Sequence, residues 1–162
     1  MNEHGQKAMV SQNRNVQYFK EPTYLLPVTY AQAATYLKQM GYEVYWDDGN
    51  AQLKTFDQWF NDLAKESPDV VVLESTTPVM KFYWKTIDRI KHALPNCIVI
   101  MTGYHSMRKP NETMEQCNAD IVLRSSHIDF ALHRLIPFID ENDNWRSDYP
   151  GEGMLIRLKN GE

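Results

Sequence analysis

Two short apolar runs, each cut off by small or hydroxyl-bearing residues, constrain this chain most. The first reads D-V-V-V-L-E-S-T-T-P over residues 69–78, and the second C-I-V-I-M-T-G-Y-H over residues 97–105. Val70, Val71, Val72 and Leu73 follow one another with no polar residue between them, so both faces of such a strand are apolar. A strand buried on both faces belongs in a parallel sheet covered by helices on each side. The following loops are Ser75, Thr76, Thr77 and Pro78 in one case and Thr102, Gly103, Tyr104 and His105 in the other. Both then lie at the carboxyl edge of the sheet, where open α/β sheets bind ligands.

The remaining chain supplies the helices. Tyr30, Ala33, Ala34, Leu37 and Met40 have helical spacing, and Gly41 stands where a C-terminal cap belongs. Residues 43–46 read as a strand closed by the turn Asp47-Asp48-Gly49. Phe56, Trp59, Phe60 and Leu63 mark a second helix, ended by Ser67-Pro68. A third begins near Thr77-Pro78, with Thr as N-cap and Pro at the first helical position, and buries Tyr83, Ile87, Ile90 and Leu94. After the strand over residues 97–101 come a short helix over residues 110–116 and a strand over residues 120–124. A last helix carries Ile128, Ala131, Leu132, Leu135 and Ile139.

Strict alternation of this kind predicts an α/β fold: a flavodoxin-like or Rossmann-like three-layer domain with a mostly parallel sheet. No apolar run precedes Tyr30 to open that sheet. Either Val16–Phe19 serves as the first strand, or the chain starts downstream of it. Residues 1–22, rich in Asn and Gln and without apolar periodicity, read as an irregular arm, and residues 23–140 as the α/β domain. Residues 141–162 read as a polar linker and the start of a hairpin signalled by Asn160-Gly161. No second strand follows that signal, which suggests a segment of a longer protein.

Composition removes several function classes. A chain of 162 residues with net charge −4 lacks the basic balance of a general nucleic-acid binder. No apolar run approaches the ~20 residues of a membrane span, and the N-terminal residues have no secretory h-region, so a cytoplasmic location is expected. Cys97 and Cys117 have no metal-ligand spacing and read as two buried reduced thiols. There is no P-loop, G-x-G-x-x-G or Ser-His-Asp arrangement. Asp47-Asp48, Thr102 and Lys109-Pro110 superficially suggest a phosphorelay receiver, but the phosphoacceptor position would be Glu74, which cannot form an aspartyl phosphate.

The succession Y-L-L-P-V-T-Y-A-Q-A-A-T-Y-L-K-Q-M-G-Y-E-V, S-P-D-V-V-V-L-E-S-T-T-P, L-P-N-C-I-V-I-M-T-G-Y-H and N-A-D-I-V-L-R resembles a known pattern. It is similar to the N-terminal cobalamin-binding domain of B12-dependent radical SAM enzymes. That group includes the anaerobic magnesium-protoporphyrin IX monomethyl ester cyclase-like enzymes and many methyltransferases. The resemblance covers about residues 22–140 and lies in the order and spacing of the motifs together. It implies a corrinoid held at the carboxyl edge by Ser75, Thr76, Thr77, Pro78, Thr102, Gly103, Tyr104, His105, Ser125 and Ser126. It also implies a parent enzyme whose 4Fe-4S cluster and S-adenosylmethionine sit in a downstream radical SAM domain. This stretch alone would catalyse nothing.

The sequence departs from the pattern in places. Thr102 fills the first of two frequent glycine positions, and Ser125-Ser126-His127 replaces an acidic loop. The C-x-x-x-C-x-x-C cluster motif is absent, as is the D-x-H-x-x-G motif that ligates cobalt through histidine, so a His-ligated binding mode has no support in the sequence. Each site residue also has a plain structural alternative. Ser75, Thr76 and Thr77 suit an N-cap and turn, Gly103 a strand-end turn, His105 the surface, and Arg108 and Lys109 bulk solvent. The competing function is a non-catalytic regulatory or protein-interaction module without cofactor. A flavodoxin-like nucleotide binder is a third.

Overall fold

The computed structural model describes residues 6–9, 16–19, 26–49, 51–74 and 76–158. In chain order the elements are β1 (Gln6–Met9), β2 (Val16–Phe19), α1 (Val28–Gln39), α2 (Phe56–Glu66) and β3 (Val70–Glu74). A 3-10 turn, Thr77–Val79, runs into α3 (Met80–Ala93), followed by β4 (Ile98–Thr102), α4 (Tyr104–Arg108), α5 (Pro110–Gln116) and β5 (Ile121–Leu123). The last are α6 (Ile128–Glu141), α7 (Trp145–Asp148) and β6 (Met154–Ile156).

The fold is α/β, with a four-stranded, mostly parallel sheet between helical layers. The strand order is β3-β4-β5-β6. β3, β4 and β5 are parallel, and β6 returns antiparallel to β5. Period-two alternation of apolar side chains explains the layering. Val71, Leu73, Val99, Met101 and Val122 face one core with Phe60 of α2 and Ile87 and Ile90 of α3. Ile100, Ile121 and Leu123 face the other, with Ala33 of α1 and Leu132 and Leu135 of α6. Burying a side chain such as Ile87 fully stabilises the fold by about 1.5–3 kcal/mol. No helix among the described residues is long and apolar enough to cross a membrane.

Local chemistry sets the helix ends. Thr55 Oγ1 accepts the Gln58 N–H at 3.2 Å while Gln58 Oε1 accepts the Thr55 N–H at 2.8 Å, a reciprocal capping box that opens α2. Gly41, at φ +95°, follows the last turn of α1, and the Tyr42 N–H closes onto the Leu37 carbonyl at 3.2 Å. Thr77 does not cap α3 with its side chain as expected. Thr77-Pro78 instead forms a tighter 3-10 turn, with Pro at a position where no N–H is needed.

Three further expectations change. Residues 43–46 form no strand: Tyr45 is 55% exposed, Trp46 38%, and no described strand pairs with them. Apolar alternation alone cannot hold a strand whose backbone groups lack a ladder partner. The arm is not irregular throughout. Val16–Phe19 is a strand, but it pairs antiparallel with Gln6–Met9 in a sheet of its own and does not open the main sheet. Finally, the stretch read as a linker and outgoing hairpin packs onto the α/β unit. Trp145 is buried in the α6 core, and Met154–Ile156 pairs with Ile121–Leu123. The Asn160-Gly161 signal lies outside the described residues.

Ionic contacts explain why that stretch is held. Asp120, 4% exposed, sits just before β5. Its carboxylate accepts the Val99 N–H at 2.9 Å, Lys91 Nζ at 3.0 Å and an Arg146 guanidinium nitrogen at 2.6 Å. Arg146 also donates to the Arg157 carbonyl at 2.8 Å. The Arg157 guanidinium in turn donates to the carbonyls of Met114, Cys117 and Ala119. The charged groups thus satisfy one another and the free backbone groups at the amino edge.

Candidate functional site at the carboxyl edge of the sheet

The register of β3 on β4 pairs Glu74 with Thr102, so the loops after both strands begin side by side. β5 pairs Val122 with Met101, which brings the loop carrying Ser125 and Ser126 next along the same edge. Helix N-termini close over this edge. Tyr30, in the first turn of α1, places its hydroxyl 3.3 Å from Thr102 Oγ1.

The loops after β3 and β4 are tied together by one contact. His105 Nδ1 lies 3.2 Å from Thr77 Oγ1. His105 is 5% exposed and therefore not the surface histidine of the plain alternative. Trp84 of α3 meets its ring edge-on at 6.1 Å between centroids. Its other nitrogen, Nε2, is 3.9 Å from Glu112 Oε2, beyond hydrogen-bond reach. Burial pushes the imidazole below its ordinary range, assisted by Lys109 and opposed by Glu112, so it is neutral at pH 7.

The remaining candidates divide. Thr76 is buried with its Oγ1 unpartnered. Thr77 and Pro78 are exposed on the 3-10 turn. Thr102 is fully buried. Gly103 is buried at φ +103°, a backbone conformation that favours glycine and turns the chain from β4 directly into α4. Tyr104 is exposed, with Arg108 over its ring at 5.9 Å. Ser125 accepts the His127 N–H at 3.0 Å and acts as a turn residue, and Ser126 is exposed. Ser75 lies outside the described residues. The contacts thus join Thr77 to His105 and Thr102 to Tyr30, while Ser125 and Ser126 share only the edge.

No family model, curated protein or solved structure matches the chain.

Sequence reasoning missed Tyr30, Trp84, Ser106 and Glu112. Tyr30 reads in the sequence only as a stripe residue of the first helix. Ser106, fully buried with an unpartnered hydroxyl, could have been suspected from its place beside His105. Exposed apolar side chains stand at helix starts on this side, Leu26 and Val28 at α1, Tyr104 at α4 and Phe130 in the first turn of α6, and Thr77, Arg124, Ser126 and His127 are exposed there as well. Among the described residues no group of three or more His, Cys, Asp or Glu is placed to hold a metal. A separate polar concavity, lined by Gln52, Leu53, Lys54, Gln58, Asn61 and Asp62, shares no residue with this site. Its Lys54 is already held by Asp47 at 3.0 Å and Asp62 at 2.8 Å.

Proposed function

We propose that this chain is a cobalamin-binding α/β domain of the kind found in B12-dependent radical SAM enzymes, holding the corrinoid at the carboxyl edge of its sheet. The observation that carries the reading is the set of buried, unpartnered polar atoms at that edge: Thr76 Oγ1, His105 Nε2 and Ser106 Oγ. They are hydrogen-bonding groups with capacity to spare, and Leu26, Val28, Tyr104 and Phe130 add exposed apolar side chains at the helix starts on this side. That combination suits a large ligand with an apolar ring and polar arms. When bound, cobalamin supplies the organometallic chemistry, and the protein's part is to bind and orient it. Thr76, Thr77 and Ser106 would hold polar groups of the ligand, Gly103 lets the backbone come close, and Tyr104 and Phe130 cover apolar surface. The iron-sulfur cluster and S-adenosylmethionine belong to a separate radical SAM domain in this reading.

Titration of the folded protein with hydroxocobalamin, followed by corrinoid absorbance, tests the proposal. A saturable spectral shift is expected. An unchanged spectrum at saturating protein refutes it.

One observation favours a second reading, a regulatory or protein-interaction module without cofactor. Thr102, His105 and Ser106 are at most 5% exposed, so the edge is closed and a ligand must part the Thr77–His105 contact to reach them. A module of this kind shows no spectral change and instead associates with a protein partner through Leu26, Val28, Tyr104 and Phe130.

A further inference from the structure

β3 ends the main sheet on one side, and its sequence does not suit an end. The Asp69 carbonyl accepts the Ile98 N–H at 2.8 Å, so ladder alternation turns the backbone groups of Val71 and Leu73 towards β4. Those of Val70 and Val72 point outward, where no strand among the described residues pairs with them. Exposed edges are ordinarily blunted by a charge, a proline, a bulge or a very short strand. Val70, Val71, Val72 and Leu73 offer none of these, whereas the strand at the opposite edge, β6, has 3 residues. Val70 and Val72 are only half-buried, while Ile100, the ladder partner of Val72, is fully buried. β3 thus has the make-up of an interior strand at an unfinished edge.

We propose that this edge is a strand-docking surface, and that its occupant is β2 of the same chain, carrying β1 on its far side. The path of the chain selects this occupant. α1 starts at the carboxyl edge, because the hydroxyl of Tyr30 in its first turn lies 3.3 Å from Thr102 Oγ1 at the end of β4. A strand laid parallel on β3 ends at that same edge, two strand spacings, or about 10 Å, from the end of β4. Residues 20–27, which join β2 to α1, can span at most about 26–29 Å, so the connection closes with slack. β2 matches the edge in length, 4 residues against 5, and its Val, Tyr and Phe are strand-favouring residue types. One edge of β2 pairs with β1, and its other edge has no strand partner among the described residues, so docking breaks no ladder. It joins the two sheets into one of order β1-β2-β3-β4-β5-β6. Because β2 is tethered, its effective concentration at the edge far exceeds that of a second copy in dilute solution. None of this depends on a bound corrinoid.

Amide hydrogen exchange of the whole chain, followed residue by residue by NMR, reads the edge directly. Docking should slow the Val70 and Val72 amides at least about tenfold relative to the same amides in Tyr18→Pro, whose ring and missing N–H disrupt β2. The Val71 and Leu73 amides, which face β4, should be unchanged by that substitution. Val70 and Val72 exchanging as fast in the unaltered chain as in the variant overturns the proposal. Protection that rises with protein concentration, together with a dimer in sedimentation, assigns the edge to a second copy and overturns it too. Should Tyr18→Pro fail to fold, oxidation of two double variants decides: Tyr18→Cys with Val72→Cys, and Gln17→Cys with Val72→Cys for the adjacent register. A disulfide within one chain, identified by mass spectrometry, is expected in one of them, because ladder partners lie within bridging distance. Cys97 and Cys117 are buried and do not compete. No bridge in either variant, or bridges only between chains, overturns the docking.

Discussion

Replacing Asp120 with Asn tests the amino-edge network most directly. The change preserves size and keeps one acceptor oxygen, but it removes the charge that balances Lys91 and Arg146. Those groups approach the carboxylate at 3.0 Å and 2.6 Å, and the Val99 N–H at 2.9 Å. The carboxylate is nearly fully buried, at 6% side-chain exposure, whereas both cations retain 20%. Breaking a buried pair costs about 3–5 kcal/mol because the partner charge is stranded. Partial solvation of both cations places Asp120→Asn near the bottom of that range, at about 3 kcal/mol. For a chain of this size that is a fall of roughly 6–12 °C in melting temperature. Urea unfolding followed by circular dichroism gives the free energy. The double mutant with Arg146→Met separates coupling from simple loss, and a coupling of about 1–3 kcal/mol is expected. A loss below about 1 kcal/mol, the range of an exposed ion pair, or strict additivity with Arg146→Met, would refute the argument.

Other outcomes follow from the same structure. Thr55→Ala removes one half of the capping box and should cost about 1 kcal/mol, read as a shift in urea midpoint with unchanged slope. His105 has a folded-state pKa below its ordinary 6.5, so the unfolded chain takes up its proton first as pH falls. Stability from this group is therefore whole above about pH 7 and declines as pH drops through 6.5 towards the folded value. The slope is at most about 1.4 kcal/mol per pH unit. His105→Gln should flatten that segment of a stability–pH curve, and an unaltered slope would assign it to other groups. Burial pushes the Cys97 and Cys117 thiols up to about 11, so both should resist Ellman's reagent at pH 8 until the protein unfolds. Rapid labelling of the native protein counts against their burial.

The layered fold was legible because Val70 to Leu73 and Ile98 to Met101 are apolar on both faces, which few arrangements other than a covered parallel sheet satisfy. α2 was equally clear, with its stripe and its Thr55 cap on the page. What remained hidden depended on partners far along the chain. α4 has no apolar stripe in Y-H-S-M-R and exists because Gly103 turns the backbone and β4 positions it. Residues 43–46 had the alternation of a strand but not the neighbour. The polar stretch around Trp145 looked like a linker because Arg146 gains its meaning only from Asp120, 26 residues earlier. That the loops after β3 and β4 begin side by side was readable from the strand ends, and Gly103 adopts a positive φ. That His105 would face Thr77 was not, because it requires the β3–β4 register and the path of two helices at once.

The Asp120 network also bears on how the protein comes off the ribosome. A nascent chain that has exposed β5 already contains the buried carboxylate and Lys91, but Arg146 and β6 have not yet emerged. Until they do, Ile121–Leu123 is an unpaired strand on one side, and the carboxylate lacks its closest cation. Within the main sheet β3, β4 and β5 can therefore collapse early through short crossovers, while β6 and the Arg146 contact form last. That interval is when this chain is most open to edge-to-edge association with its own copies.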